Sequence, residues 1–294
     1  MRPRTMLRDA ATRAARRLAG REALALDHPP SRGPVPRYGH GRPEHALLAS
    51  LIARHDDRYR RSIESIARHI PDLARIPARQ DSPSGPFWLS EWLPGLDAAA
   101  IYAFIRERRP ALYLEVGSGV STMWARRAIE DGGLATRIVS IDPSPRREID
   151  ELCDEVIRSP LEATDLGVLD RLGAADVVLM DGSHRVYEGS DATTFFLDIL
   201  PRLPAGALCA IHDVFLPSGY MPDWSEWLFS EQYLLAAWLL GGGRGVVPEL
   251  AAWHASALAG LDGALLPLWQ TPGLEGVERR GWAFWLSVPP QSQA

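Results

Sequence analysis

The stretch Ala-Leu-Tyr-Leu-Glu-Val-Gly-Ser-Gly-Val-Ser, residues 111–121, carries the clearest structural signal in this chain. Its first six residues are mostly apolar and predict a buried β-strand. The glycines at 117 and 119 predict a tight turn into a helix that begins at Ser121. Glycine at such a turn lets the backbone pass close to a ligand, because no Cβ stands in the way. The stretch therefore predicts a strand, a ligand-binding turn and a helix in succession.

Strands and helices alternate through the rest of the chain. Further strands are predicted at 137–141, 155–158, 175–180, 207–211 and 281–288, and further helices at 44–70, 145–154, 187–200 and 233–240. Strands that alternate with helices pair in parallel through right-handed crossovers. The pattern predicts an α/β protein with a doubly wound, Rossmann-like, mostly parallel sheet, helices on both faces and a helical N-terminal extension.

Composition divides the chain into three predicted regions. Residues 1–43 form a basic segment and a Pro/Gly-rich linker, residues 44–94 a helical and aromatic region, and residues 95–294 the α/β domain. The aromatic part of the second region is expected to serve either as a lid over a substrate or as a cap on the core. Its large side chains are Phe87, Trp88 and Trp92.

Charge is distributed unevenly along the chain, whose net charge is −5. Residues 1–80 hold 17 Arg against 8 acidic residues, a balance of +9, so the remainder carries −14. An acidic body argues against a nucleic-acid groove. The basic helix predicted for residues 1–20 is either solvated or contacts an anionic membrane or partner peripherally. We expect no membrane span, no secretory signal and a cytoplasmic location.

Acidic residues flank the glycine turn at informative positions. Glu115 precedes Gly117 by two residues, where a carboxylate accepts hydrogen bonds from a ligand's ammonium group. The third glycine of a dinucleotide fingerprint is replaced by Thr122, which argues against NAD. Asp142 lies 25 positions after Gly117 at a strand end, a spacing typical of ribose binding. The alternative for Asp142 is a cap on the helix predicted from Pro145.

Two further polar motifs follow adjacent predicted strands. Asp181-Gly-Ser-His184 follows the strand at 175–180, and His212-Asp213 follows the strand at 207–211. In open α/β sheets, ligands bind beyond the carboxyl ends of the strands, so both motifs are expected to open onto the crevice beside the glycine turn. Histidine titrates near neutrality, which suits a general base. Each residue also has a structural alternative, as a helix cap or a backbone hydrogen-bond partner.

These motifs resemble those of the class I S-adenosylmethionine-dependent methyltransferases, whose first motif reads acidic-x-Gly-x-Gly. The segments 181–184 and 211–215 look more narrowly like the bacterial branch labelled methyltransferase family 24. The resemblance covers residues 111–213, with Ser121 where many members have a third glycine. It implies a seven-stranded sheet and bound S-adenosyl-L-methionine. Glu115 would face the methionine amino end, and Asp142 would hold the ribose. The implied cofactor wall is Gly117, Ser118 and Gly119, with Leu161 beside the adenine.

The resemblance also implies the chemistry. We expect O-methylation of a small polyhydroxylated molecule, a sugar or a secondary metabolite, with Asp181, His184 and His212 as catalytic residues. Related sugar and catechol O-methyltransferases hold Mg²⁺ with carboxylates at the same strand ends. Asp181 and Asp213 are the metal-ligand candidates here, although His212 stands where those enzymes have an acid. A catalytically silent scaffold protein and an NAD or nucleotide-sugar oxidoreductase are the alternatives.

Two C-terminal segments complete the expectations. The aromatic, proline-containing loop at 215–227 is predicted to be a substrate-binding lid, with an insertion that packs on the domain as the alternative. The apolar run at 233–240 is either a buried helix or the face of a homodimer.

Overall fold

The computed structural model describes residues 35–243, 245–258 and 261–289. The basic helix predicted for residues 1–20 and most of the segment 1–43 lie outside the described residues.

The core of the described chain is a seven-stranded sheet with the strand order β3-β2-β1-β4-β5-β7-β6. The strands β1 to β5 are parallel, and β7 runs antiparallel to both β5 and β6. This confirms the predicted doubly wound, mostly parallel sheet of seven strands. The strands are β1 (Leu112–Val116), β2 (Arg137–Ile141), β3 (Glu155–Ile157), β4 (Val177–Met180), β5 (Leu208–Ile211), β6 (Val247–Ala251) and β7 (Phe284–Ser287).

Helices precede the sheet and connect its strands. They are α1 (Ala46–Ala53), α2 (Asp56–Ala67), α3 (Ile70–Leu73), α4 (Gly95–Arg108), α5 (Val120–Asp131), α6 (Asp191–Thr194), α7 (Glu231–Leu240), α8 (Ala252–Ala255) and α9 (Leu261–Trp269). A π-helical turn, Phe195–Ile199, continues α6. Across the described residues, every helix falls short of the length and apolar character that crossing a bilayer requires.

Two predicted helices are wrong in detail. The range predicted as one helix, 44–70, contains the two helices α1 and α2, and α3 begins at its last residue. The helical path is interrupted after α1, where the carbonyl of Ile52 accepts a hydrogen bond from the hydroxyl of Tyr59. The helix predicted for 145–154 contains only one 3₁₀ turn, Asp150–Leu152. There the carboxylate of Asp142 accepts the amide hydrogen of Ser144, which holds the start of the segment as a turn.

Strand β6 and helix α4 are among the elements that the sequence did not predict, as are α8 and α9. Strand β6 reads Val-Pro-Glu-Leu-Ala, and its proline and charged residue break the alternation by which strands are recognised. Helix α4 is buried from Gly95 to Ile105, so it lacks the polar stripe that marks an amphipathic helix.

The aromatic segment before α4 serves partly as a cap on the core. Phe87 and Trp88 are buried, and the Trp88 ring packs edge-on against Trp124 and Trp269 at centroid distances of 4.6 and 5.7 Å. Trp92, four residues later, is half exposed. Phe87 and Trp88 thus cap the core, and a lid formed by Trp92 stays a prediction.

The turn between β1 and α5 depends on a glycine. Gly117 has φ +77°, and a Cβ there would overlap the carbonyl oxygen of Asp181 at the end of β4. That close approach brings the ends of the two central strands to one place. The polar residues that follow β4 are therefore next to the glycine turn.

We expect Gly117→Ala to lower the free energy of unfolding by about 2 kcal/mol or more, because the left-handed φ and the overlap with backbone both add strain. Gly263→Ala is the matched control, since Gly263 is exposed on α9 with no heavy atom within 4 Å of the added Cβ. Alanine there should leave stability unchanged or raise it by up to about 1 kcal/mol. Urea unfolding measures both variants, and equal effects would contradict the role given to Gly117.

Candidate functional site

A cavity of about 660 Å³ opens at the carboxyl ends of the central strands. The sheet order places β2 and β3 on one side of β1 and places β4 and β5 on the other. The cavity therefore has a β2–β3 end and a β4–β5 end, which meet at Gly117 and Ser118. The β2–β3 end is lined by Trp92, Asp142, Pro143, Ser144, Arg146, Leu161 and Glu162, and the β4–β5 end by Asp181, His184, His212, Asp213, Trp224, Trp227, Phe229 and Trp282.

Asp142 joins the glycine turn to the end of β2. One carboxylate oxygen accepts the amide hydrogen of Ser118 at 2.8 Å, and the other accepts that of Ser144 at 2.8 Å. The Ser118 hydroxyl also lies 2.6 Å from the hydroxyl of Ser140 on β2. Asp142 thus shapes the turn and lines the cavity at once.

Leu161 lies across the β2–β3 end from Asp142. It begins a 3₁₀ turn, Leu161–Ala163, that follows β3, and its side chain is buried against the cavity wall. The structure therefore brings together four of the predicted cofactor residues, namely Gly117, Ser118, Asp142 and Leu161.

Glu115 lies on the inner side of the glycine turn, away from the cavity lining. Its carboxylate accepts hydrogen bonds from the hydroxyls of Tyr113, at 3.0 Å, and Thr122. The Thr122 hydroxyl in turn accepts the amide hydrogen of Gly119 at 3.0 Å. Burial raises the pKa of Glu115 to about 7, against the lowering effect of these hydroxyl donors. Glu115 and Gly119 are thus the two predicted cofactor residues that do not line the cavity. Both bond to Thr122, which stabilises the turn on its interior side.

Four of the predicted polar residues meet at the β4–β5 end. The Nε2 atom of His184 lies 3.2 Å from Asp181 Oδ1 and 3.3 Å from Asp213 Oδ2. The Nδ1 atom of His212 lies 3.5 Å from Asp181 Oδ1 and 3.3 Å from Asp213 Oδ1. Each imidazole thus faces both carboxylates. We call these four residues the Asp/His cluster.

Two further carboxylates support the cluster, and the sequence analysis missed both. Glu231, the first residue of α7, lies 3.0 Å from Nδ1 of His184, and Asp97 on α4 lies 3.4 Å from Nε2 of His212. Asp97 also accepts the amide hydrogens of Trp282 and Ala283. Both acids stand beside apolar runs, Ala-Ala-Ala at 98–100 and Leu-Leu-Ala-Ala at 234–237. An acidic residue beside an apolar run indicates a buried carboxylate, and a buried carboxylate needs a charged or hydrogen-bonding partner.

The carboxylates of the cluster favour the protonated form of both histidines. Burial lowers the pKa of His184, but Asp213, Asp181 and Glu231 more than compensate and raise it to about 10. The pKa of His212 is likewise raised, by Asp181, Asp213 and Asp97 against burial. Burial raises the pKa of Asp213, whereas the two imidazoles outweigh burial at Asp181 and lower its pKa.

Backbone strain marks the same place. His184 and Asp213 both have left-handed backbones, with φ of +59° and +57°. Such conformations cost about 1–3 kcal/mol each in a residue other than glycine and persist where the surroundings hold them. The amides of Ser230 and Glu231 donate to the carbonyl of His184 at 2.8 and 3.1 Å. The start of α7 therefore holds both the backbone and the side chain of His184.

Aromatic rings form a wall beside the cluster, with Phe229 4.7 Å from His184 and Trp282 6.3 Å from His212 between ring centroids. The Trp224 ring lies 4.8 Å from Trp227, 5.9 Å from Phe229 and 5.2 Å from Trp282 between centroids. Trp224 and Trp227 belong to the loop at 215–227, whereas Phe215 of the same loop is buried. On α7, Leu235, Ala236 and Leu239 are buried while Tyr233 and Leu240 are exposed, and a homodimer on that face stays a prediction.

Comparison with known proteins gives one matching family model. Residues 114–214 match the family model of a methyltransferase domain, family 24. No curated protein matches the chain.

Solved structures that resemble this chain include three methyltransferases. One, from Podospora anserina with bound S-adenosylhomocysteine (SAH), is 16% identical over 77% of this chain and 88% of its own, with a TM-score of 0.42. The O-methyltransferase TomG from Streptomyces achromogenes, bound to S-adenosylmethionine (SAM), is 17% identical over 78% and 90%, with a TM-score of 0.39. The third, an O-methyltransferase from Bacillus cereus in complex with SAH, is 16% identical over 83% and 99%, with a TM-score of 0.38.

The family match spans β1 to β5 and contains the glycine turn, Asp142 and the whole Asp/His cluster. Residues 114–214 are therefore similar to a methyltransferase domain of the family 24 type, and they lie within a seven-stranded, Rossmann-like sheet.

Proposed function

We propose that this protein is a SAM-dependent methyltransferase that O-methylates a small polyhydroxylated molecule, a sugar or a secondary metabolite. The observation that carries the proposal is the continuity of the cavity, which joins the glycine turn and Asp142 to the Asp/His cluster. A cofactor and an acceptor bound in one such cavity meet in the orientation that transfer between them requires.

The β2–β3 end is the proposed cofactor site. Asp142 would accept hydrogen bonds from the ribose hydroxyls, and Leu161 would pack against the adenine. Gly117 and Ser118 would line the amino acid part of the cofactor, which leads toward the β4–β5 end. Glu115 has a different role from the one expected, because its carboxylate bonds to Tyr113 and Thr122 rather than facing the cavity. When bound, SAM supplies an electrophilic methyl group.

The β4–β5 end is the proposed acceptor site, where a hydroxyl group must lose its proton as it is methylated. A general base works best when its pKa lies toward the operating pH. The surrounding carboxylates raise the pKa of both His184 and His212 and so favour their protonated forms, which makes a carboxylate the better proton acceptor. Between the two carboxylates, Asp213 has the raised pKa and Asp181 the lowered one. We therefore assign proton acceptance to a carboxylate oxygen of Asp213, with Asp181, His184 and His212 holding it in place.

The aromatic wall beside the cluster suits a molecule with both polar and apolar faces. Hydroxyl groups would bond to the carboxylates, and the C–H face of a sugar or the face of an aromatic ring would pack on the tryptophans. Small-molecule sites commonly combine aromatic walls with a few placed polar groups. This combination supports the small polyhydroxylated acceptor.

A divalent cation is an alternative to the protonated cluster, because binding it would require His212 to lose its ring proton. One ligand atom each from Asp181, His212 and Asp213 lies within 4.8 Å of the others. A cation held there would acidify a bound hydroxyl. Imidazole is a better ligand for transition metals than for Mg²⁺, which prefers oxygen, so Mn²⁺ suits this set at least as well as Mg²⁺.

We expect Asp142→Asn to weaken SAH binding about tenfold or more, because the amide loses an acceptor for the ribose and for the turn amides. Isothermal titration calorimetry measures the SAH affinity of both proteins, and NAD is the control ligand that should not bind. Asp170→Asn is the control, since Asp170 is an exposed carboxylate outside the cavity lining. If SAH fails to bind wild-type protein, the proposed function is wrong.

We expect Asp213→Asn to lower kcat by about 100-fold or more, which is the usual contribution of a general base, while SAH affinity stays within about threefold. The acceptor for this assay comes from screening neutral sugars and phenolic metabolites for SAH release. Asp198→Asn, an exposed carboxylate in the π-helical turn, should retain full activity. Full activity of Asp213→Asn would refute the assignment of the base, and full activity of both Asp181→Ala and His184→Ala would remove the cluster from catalysis.

We expect metal-stripped protein to bind Mn²⁺ or Mg²⁺ in a calorimetric titration and Asp181→Asn to abolish that binding, since the substitution removes one of the three donors. Asp170→Asn serves again as the control. A wild-type protein that binds neither ion would show that the cluster works through its own charges.

A further inference from the structure

Trp92 is an aromatic side chain whose exposure calls for an explanation. Its side chain is 50% exposed, whereas its neighbour Leu93 and the nearby Trp88 are buried, with exposed fractions of 4% and 2%. An indole ring left half in water forgoes much of the free energy that burial would supply. Trp92 also lines the cavity, so this exposed surface lies at a binding site rather than on an unrelated face.

The backbone on both sides of Trp92 is held in place. Before it, the amides of Trp88 and Leu89 donate to the carbonyls of Pro77 and Ala78 at 3.1 and 2.8 Å. After it, the amide of Gly95 donates to the carbonyl of Glu278 at 2.7 Å. The ring is thus presented from an anchored segment, which lowers the entropic cost of stacking a ligand against it.

The neighbours of Trp92 place it at the β2–β3 end of the cavity. The guanidinium of Arg146, in the turn after β2, lies over the ring at 4.5 Å from its centroid. Arg146 also lines the cavity, as do Asp142, Pro143 and Leu161. A cation stacked on one face of an indole steadies the ring.

We propose that Trp92 is an adenine-binding residue, whose ring stacks on the base of the cofactor and closes the β2–β3 end over it. This inference rests on the proposed function, because it needs a nucleoside with its ribose at Asp142. Every purine has a flat π face, and an aromatic side chain that stacks on a base contributes about 1–3 kcal/mol to binding. Leu161 and Trp92 would then hold the base from two sides, one apolar and buried, the other aromatic and at the mouth of the cavity.

The proposal distinguishes the two ends of the cavity. A ring that stacks on adenine acts on the nucleoside part of the cofactor and not on its amino acid part. Loss of Trp92 should therefore weaken SAH and 5′-methylthioadenosine, which lacks the amino acid, by the same factor. Trp227, in the wall at the β4–β5 end, is the matched tryptophan for comparison.

The test is calorimetric titration of SAH and 5′-methylthioadenosine into wild type, Trp92→Ala, Trp92→Phe and Trp227→Ala. We expect Trp92→Ala to weaken both ligands about tenfold, within the range that stacking on a base supplies. Trp92→Phe should recover most of the loss, because phenylalanine keeps a stacking face. Trp227→Ala should leave SAH affinity within about twofold of wild type. Thermal unfolding of each variant checks that the fold is intact.

Each outcome separates the inference from the proposed function. If wild type binds SAH and Trp92→Ala binds it equally well, the role of Trp92 is wrong and the proposed function stands. A loss seen for SAH but not for 5′-methylthioadenosine would also overturn the adenine assignment. If wild type binds neither ligand, the proposed function fails and the inference fails with it.

Discussion

Two imidazole rings among buried carboxylates form the interaction on which the functional end of this protein depends. Burying a charge costs free energy unless the charge is paired and hydrogen-bonded. The carboxylates and the imidazoles here compensate one another's desolvation cost. The partners come from four separate parts of the chain, which the cluster therefore ties together. They are Asp97 on α4, Asp181 after β4, Asp213 after β5 and Glu231 on α7.

The cluster also explains the elements around it. Asp97 binds the backbone of Trp282 and Ala283, which places the strand β7 and one ring of the aromatic wall. Glu231 and the amide before it hold His184 in its left-handed conformation. The aromatic loop runs between β5 and α7, so it begins next to Asp213 of the cluster and ends next to Glu231, which contacts His184. One set of charges thus organises both the polar floor and the aromatic wall of the acceptor site.

The opposite end of the cavity is organised by hydrogen bonds to backbone amides. Asp142 binds the amides of Ser118 and Ser144, while Glu115 and Thr122 secure the turn from the interior. A carboxylate that shapes a turn is already positioned when a ligand arrives, so little ordering is left to do on binding. The glycine at 117 joins this end to the other, because it lets β1 pass against the backbone of Asp181.

The sequence by itself determined the approximate bounds of strands β1 to β5, the glycine turn and the positions of the polar motifs, because these depend on local patterns of apolar residues and on strand ends. Only the tertiary structure decided which groups meet. In the folded protein, Glu115 faces the interior, and Asp97 and Glu231 lie beside the histidines. Trp88 is in the core, whereas Trp92 lines the cavity. Such outcomes depend on which distant segment supplies a partner for a buried charge or ring, and short-range sequence patterns carry no record of that choice.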